Sequence, residues 1–277
     1  NTDYQDYVRI CAYCYSASLG YFALNRYNWK FVQLSPESLY GSYKLYPRAI
    51  WVTDSKLYVI STAEDNLARC YEISRTTNAV LRQFDFSSTY KHIAGMAYNA
   101  TWGYWVTDRL TGDILKLDLE QSFSTGSAVI LTTWHTGLTD YLSGITFVEN
   151  DGSTYLVFSE YKAKASNPYT YIIDPAIISD GATWDGTRVK RYLNAGKSEG
   201  LAWSSNFPAR MAESCSGVTS GDTYGKIRIL DIDTFIASGT DGGAESTLLF
   251  YYYPSAGQFG GDIAFDSSNY LWQVTQG

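Results

Sequence analysis

The feature that most constrains this chain is a short β unit that recurs along it. The clearest copy starts at Met96-Ala-Tyr98, apolar and too short for a helix. Asn99-Ala-Thr-Trp-Gly103 follows, and Asn and Gly accept the positive φ angles of a chain reversal. Tyr104-Trp-Val-Thr107 is aromatic or β-branched throughout, which suits a pleated, half-buried surface. Asp108 ends that run, and Thr111-Gly112-Asp113 marks a second turn. Ile114, Leu115, Leu117 and Leu119 are broken by Lys116 and Asp118, as in a strand with one wet face. Ala128-Val-Ile-Leu-Thr-Thr133 supplies a fourth strand. Four antiparallel strands in about 40 residues make one blade of a β-propeller.

The same unit returns. First strands recur as Gly144-Ile-Thr-Phe147, Gly200-Leu-Ala-Trp203 and Asp262-Ile-Ala-Phe-Asp266, with looser copies at Ala49–Val52 and Ile10–Tyr13. Second strands recur as Leu57–Ser61, Tyr155–Glu160, Tyr21–Leu24 and Leu271–Thr275, and Met211–Ser214 is a weaker copy. Third strands recur as Cys70–Ile73, Tyr169–Asp174, Ile227–Asp231 and Phe31–Leu34. The starts fall roughly 40–60 residues apart, as blades with loop insertions do. A β-sandwich also strings short strands between turns, but has no reason to repeat one four-strand pattern.

The pattern predicts one all-β domain over residues 1–277, a propeller of six four-stranded antiparallel blades, with five as the rival count. The units run over 8–46, 47–89, 90–137, 138–196, 197–257 and 258–277. The last holds two strands only. Either Asn1–Val8 or another N-terminal strand completes it, or the natural chain continues past Gly277. An uncovered edge there would invite pairing with another chain. Phe207–Gly225 lacks a clear second strand, and Asp233–Glu245 reads as a Gly/Asp/Ser-rich loop.

Charge narrows the partners. The formal net charge is −7, and the one basic cluster, Arg188-Val-Lys190-Arg191, reads as the wet side of a strand. A phosphate-binding face needs clustered positive charge, so nucleic acid is not an expected partner. No apolar run approaches the ~20 residues of a membrane-spanning helix. Cys11, Cys14, Cys70 and Cys215 read as buried thiols or one or two disulfides, and their even number leans towards an oxidising compartment. A chain opening at Asn1 rather than Met fits a processed secreted protein or an excised fragment. Asn99-Ala-Thr101 is a glycosylation acceptor sequence on an expected exposed turn.

Ser198-Glu-Gly-Leu-Ala-Trp203 and Gly261-Asp-Ile-Ala-Phe-Asp-Ser-Ser-Asn-Tyr-Leu-Trp-Gln-Val-Thr275 resemble the first-and-second-strand signatures of NHL-repeat and gluconolactonase-like propellers. Tyr104-Trp-Val-Thr-Asp108 resembles the YWTD-type second strand. The gluconolactonase resemblance implies a divalent cation at the channel mouth, held by Glu, Asn and Asp side chains just before the first-strand Gly. Here that position holds Arg48, Ala94, Ser143, Glu199 and Gly261. A hard cation needs several converging oxygens, and only Glu199 is a carboxylate. Arg48 would repel a cation and is placed to pair with Glu199 across the channel.

Other chemistry is thinly supplied. His92 and His135 are the only two histidines and read as turn or surface residues. The acidic stretch with Asp231, Asp233, Asp241 and Glu245 lacks EF-hand spacing. Asp113, Asp118, Asp174 and Asp231 flank third strands and are expected to bond turn amides. What remains is 25 Tyr and 8 Trp, residues that give recognition surfaces contact area and a polar handle.

These readings favour a non-enzymatic recognition or structural module, extracellular or on a particle surface, that binds a protein or glycan. Its candidate residues are Arg48, Ser143 and Glu199 at the channel mouth and Trp184, Asp241, Tyr251 and Tyr253 on binding loops. No metal or cofactor is expected. The competing readings are a divalent-cation-dependent lactonase or esterase, with Ca2+ near Glu199, and a subunit of a homo- or hetero-assembly.

Overall fold

The computed structural model describes residues 7–10, 13–16, 21–24, 30–33, 45–63, 67–163, 166–194, 196–204, 210–216, 226–238, 241, 248–252, 259–268 and 271–276. Four short strands come first: β1 (Tyr7–Ile10), β2 (Tyr13–Ser16), β3 (Tyr21–Leu24) and β4 (Lys30–Gln33). Four consecutive antiparallel sheets follow. Blade I is β5 (Leu45–Val52), β6 (Lys56–Ala63), β7 (Ala68–Ser74) and β8 (Val80–Asp85). Blade II is β9 (Ile93–Asn99), β10 (Gly103–Asp108), β11 (Asp113–Leu117) and β12 (Ile130–His135). Blade III is β13 (Leu142–Asn150), β14 (Ser153–Glu160), β15 (Tyr169–Ile173) and β16 (Lys190–Leu193). Blade IV is β17 (Ser198–Trp203), β18 (Arg210–Cys215), β19 (Lys226–Asp231) and β20 (Leu248–Tyr252). The chain returns as the pair β21 (Phe259–Phe265) and β22 (Leu271–Gln276).

The fold is an all-β propeller, and its count among the described residues is five rather than six. Each inner strand touches the next: β5 meets β9, β9 meets β13, β13 meets β17, β17 meets β21, and β21 meets β5. β1 lies beside β22 and pairs antiparallel with β4. Both ends of the chain thus meet at the last blade, and the described residues of 8–46 form two separate antiparallel pairs, β1 with β4 and β2 with β3. The apolar cores follow the same geometry, one per blade interface. Ile50, Val59 and Tyr71 of blade I pack against Ala264, Trp272 and Val274 of the last blade, which shuts the ring. Ala202, Ala212 and Ile229 meet Ile263 and Leu271 on the other side of that blade.

Two local predictions are corrected. The third strand of blade II stops at Leu117, and helix α1 (Leu119–Thr125) follows. Asp118 caps it by accepting a hydrogen bond from Gln121 N at 2.9 Å, which satisfies a donor the helix leaves open. The stretch read as a loop from Asp233 opens instead inside helix α2 (Ile232–Ala237), capped by Asp231 through Thr234 N at 3.0 Å. Cys70 and Cys215 are buried thiols, and burial raises the Cys70 pKa. Cys11 and the Cys14 side chain lie outside the described residues. No helix among the described residues is long and apolar enough to cross a membrane.

The centre is tight because the equivalent inner-strand position is nearly bare in four of the five blades. Ala49, Gly95, Gly144, Gly200 and Asp262 occupy the same register position. A Cβ on Gly144 would stand 2.9 Å from Gly200 Cα, and one on Gly200 would stand 2.5 Å from Asp262 Cα. Both contacts are to backbone, which cannot swing away. Gly200→Ala is expected to cost about 1–3 kcal/mol, as overpacking does. Urea unfolding checks this, and an unchanged midpoint would mean that the ring dilates freely.

Candidate functional site

Every inner strand slips register against its neighbour near its start. The slips fall between Pro47 and Ala49, Ile93 and Gly95, Leu142 and Ile145, Ser198 and Gly200, and Gly260 and Ile263. A bulge re-aims the side chain it carries. Arg48, Ala94, Ser143, Glu199 and Gly261, the residues placed at the channel mouth from sequence, all lie in these slips.

Beyond each bulge the next position faces the axis, and four blades put Ala or Gly there. The last blade puts a carboxylate. Asp262 Oδ2 accepts hydrogen bonds from Ile50 N at 3.0 Å and Met96 N at 3.2 Å, on the inner strands of blades I and II. Its Oδ1 is buried and has no hydrogen-bond partner among the described residues. Burial drives its pKa well above the carboxylate range. Asp262 thus plugs the axis, leaving two ends to consider.

At the end where the inner strands begin, Glu199 is held by Arg109, which sequence reasoning did not single out. Arg109 Nη2 donates to Glu199 Oε2 at 3.1 Å and to Ser143 Oγ at 2.9 Å. Its guanidinium lies 4.0 Å from the centre of the Tyr161 ring. Ser216 Oγ donates to Glu199 Oε1 at 2.8 Å, and Ser143 Oγ to the Glu199 carbonyl at 3.2 Å. Arg109, Tyr161 and Ser216 share one register position, just past the second strand of blades II, III and IV. That shared position is the signal that could have found them. His92 sits alongside, pushed down to about 3 by burial and by Arg109 and Arg48, so its imidazole is neutral near pH 7. His92 Nε2, Arg109 Nε and Thr111 Oγ1 are buried without hydrogen-bond partners among the described residues. No cluster of three or more His, Cys, Asp or Glu side chains able to hold a metal occurs among the described residues.

At the other end the inner strands run out into a funnel. It is an open cavity of about 590 Å³ to which all five blades contribute. The third residue after the axial position is Val52, Tyr98, Phe147, Trp203 and Phe265 in turn, and all five line the cavity. Trp51 and Tyr104 widen the aromatic wall. The Trp51 and Tyr98 rings lie 6.0 Å apart and those of Tyr98 and Tyr104 4.4 Å apart. Asp54, Glu149 and Asp266 supply carboxylates. Sequence reasoning used these residues as strand markers and missed the funnel, although the signal was the fourth residue of each repeated quartet.

No protein-family model matches the chain, and no curated protein matches its sequence. Solved structures resemble it in shape. A virginiamycin B lyase from Staphylococcus aureus is 15% identical, with a TM-score of 0.43, over 84% of this chain and 68% of that one. The Dos1 propeller is 15% identical, with a TM-score of 0.42, over 78% and 49%. Raptor from Chaetomium thermophilum is 11% identical, with a TM-score of 0.41, over 83% and 18%. No residue role is carried over from them.

The other sequence candidates lie elsewhere. Trp184 packs on Tyr171 at 4.9 Å and Phe158 at 5.4 Å, and its Nε1 donates to the Thr187 carbonyl at 2.7 Å. It borders a separate cavity of about 170 Å³ on blade III. Asp241 accepts from Arg188 Nη2 at 2.9 Å and Arg191 N at 3.0 Å, which ties its loop to blade III. The Tyr251 side chain and all of Tyr253 lie outside the described residues. Asn99 was expected on an exposed turn. It instead ends β9 at 9% exposure. Its Oδ1 accepts from Thr101 N and Trp102 N, and its Nδ2 donates to Glu149 Oε1 at 3.1 Å. The turn beyond it draws the amide inwards to cap its own backbone.

Proposed function

We propose that this propeller is a recognition module that takes its ligand in the axial funnel, and that it binds without catalysis. The observation that carries the reading is the aromatic wall at one register position of Tyr98, Phe147, Trp203 and Phe265. Four blades spend the same inner-strand site on a ring at the mouth of a cavity that is open to solvent. Concave sites that combine aromatic side chains with placed polar groups are where ligands bind. At the opposite end Glu199 is already committed to Arg109 and Ser216. A carboxylate held that way is poorly placed to recruit a cation, which weighs against the hydrolase reading. A protein or glycan partner and an extracellular or particle-surface setting belong to the same proposal.

Arrays of glycans and of peptides, read with the wild type and with Tyr98→Ala, test it. Ligands are expected that lose about tenfold or more in affinity in the variant, as truncation of a buried aromatic anchor does. The contrary result is a large thermal stabilisation by Ca2+ that Glu199→Gln abolishes, with no ligand sensitive to Tyr98→Ala.

A further inference from the structure

Resting on the funnel reading, we infer that the occupant is a basic segment of a partner protein, which inserts a Lys or Arg side chain along the axis. The argument is charge and ring chemistry together. Asp54, Glu149 and Asp266 line the funnel, and among the described residues no Lys, Arg or His does so. Two neighbouring bases are already paired with carboxylates. Lys56 Nζ pairs with Glu72 at 2.9 Å, and Arg75 Nη2 pairs with Asp266 at 2.8 Å. That second pair neutralises Asp266 and leaves Asp54 and Glu149, both exposed, as the negative rim. Glu149 spends Oε1 on Asn99 Nδ2. The whole chain carries −7.

Carboxylates alone would mark only a solvated surface. Here they line the same cavity as Trp51, Tyr98 and Tyr104, whose rings follow one another at 6.0 Å and 4.4 Å. An aromatic face attracts a cation, and more so where water is partly excluded. The protein uses this chemistry internally: Arg75 lies 4.5 Å from the Trp272 ring centre and Arg191 4.2 Å from that of Tyr169. The cavity, about 590 Å³ and open, has room for a chain segment beyond a single cation, which favours a peptide over a small quaternary amine.

Trp51 and Trp203 report on the site directly, so titrations followed by tryptophan emission provide the test. The probes are a hexapeptide alternating Arg and Gly, the same peptide with citrulline for Arg, tetramethylammonium, and a neutral maltohexaose. The Arg peptide is expected to bind saturably and more weakly as salt rises. It should lose about tenfold in affinity in the paired substitution Asp54→Asn with Glu149→Gln. Both replacements keep an acceptor oxygen, and equal melting temperatures confirm that the fold is intact. Glu120→Gln, on the outer side of blade II, should change nothing. Equal binding of the citrulline peptide would overturn the inference, as would tetramethylammonium binding as tightly as the peptide. Maltohexaose binding that Tyr98→Ala abolishes, with the Arg peptide silent, would overturn it and leave the funnel reading standing. Arg-peptide binding untouched by both Tyr98→Ala and the paired substitution would place the ligand elsewhere and remove both.

Discussion

Asp262→Ala is expected to destabilise the protein by about 2–5 kcal/mol, while Asp262→Asn is expected to be nearly neutral near pH 5. The difference comes from what each change leaves behind. Alanine strands the Ile50 and Met96 amides, which lie on two other blades and donate to one carboxylate oxygen. It also empties the axis. Asparagine keeps an acceptor for both amides and puts its NH₂ where Oδ1 now stands without a partner. The sign of the pH dependence follows from the raised pKa, whose main cause is burial. The folded state holds the proton more tightly than the unfolded state does. The contribution of Asp262 is therefore fully present below the unfolded pKa of about 3.9 and is lost as pH rises through the folded value. Asparagine carries no such proton. The stability of Asp262→Asn relative to wild type should thus climb from pH 5 to pH 9 in urea titrations. A pH-independent difference would show that the carboxylate is already ionised in the fold and satisfied by groups beyond these amides.

The same residue shows what the sequence could and could not convey. The quartets beginning at Ala49, Gly95, Gly144, Gly200 and Asp262 gave away all five inner strands, because burial on both faces and a bare axial position leave a strong local imprint. The sixth signal, Ile10–Tyr13, looked the same; Cys11 and Ala12 lie outside the described residues, and Ile10 ends β1, which lies beside β22. Local pattern cannot distinguish an inner strand from one at the outer edge of a blade. That depends on the pairing of chain ends some 250 residues apart, which no window of sequence contains. Helices α1 and α2 escaped for a different reason. At seven and six residues they are too short to show a 3.6-residue period. Their Asp caps, at Asp118 and Asp231, were read correctly as turn-bonding residues without the helices behind them. Arg109 belongs to no motif. Its partnership with Glu199, 90 residues on, arises only when three blades stand side by side.

Arg228→Met is expected to have the largest effect of any single change outside the axis, about 3–5 kcal/mol. Glu213 on β18 and Arg228 on β19 are register partners, exposed by 0% and 1% of their side chains. Arg228 Nε donates to Glu213 Oε2 at 2.8 Å, and Nη2 donates to the same oxygen. Thr170 Oγ1, from blade III, donates to Glu213 Oε1 at 3.1 Å. The Arg228 guanidinium stands 5.8 Å from the ring centre of Tyr192, on β16. Burial alone would lower the Arg228 pKa, but Glu213 outweighs it and the net direction is upwards. Taking two charges from water is costly, so the pair adds little net stability while both members are present. Removing the arginine leaves a carboxylate with no counter-charge in an apolar interface, and that is where the loss arises. Replacing both, as Glu213→Leu with Arg228→Met, should therefore cost less than Arg228→Met alone. A double-mutant cycle on urea unfolding measures the coupling, and losses that simply add would show that the two side chains act as separate packing groups. If the coupling is found, the pair's main effect is to penalise any packing of blade IV on blade III that fails to bring Thr170 and Tyr192 to it.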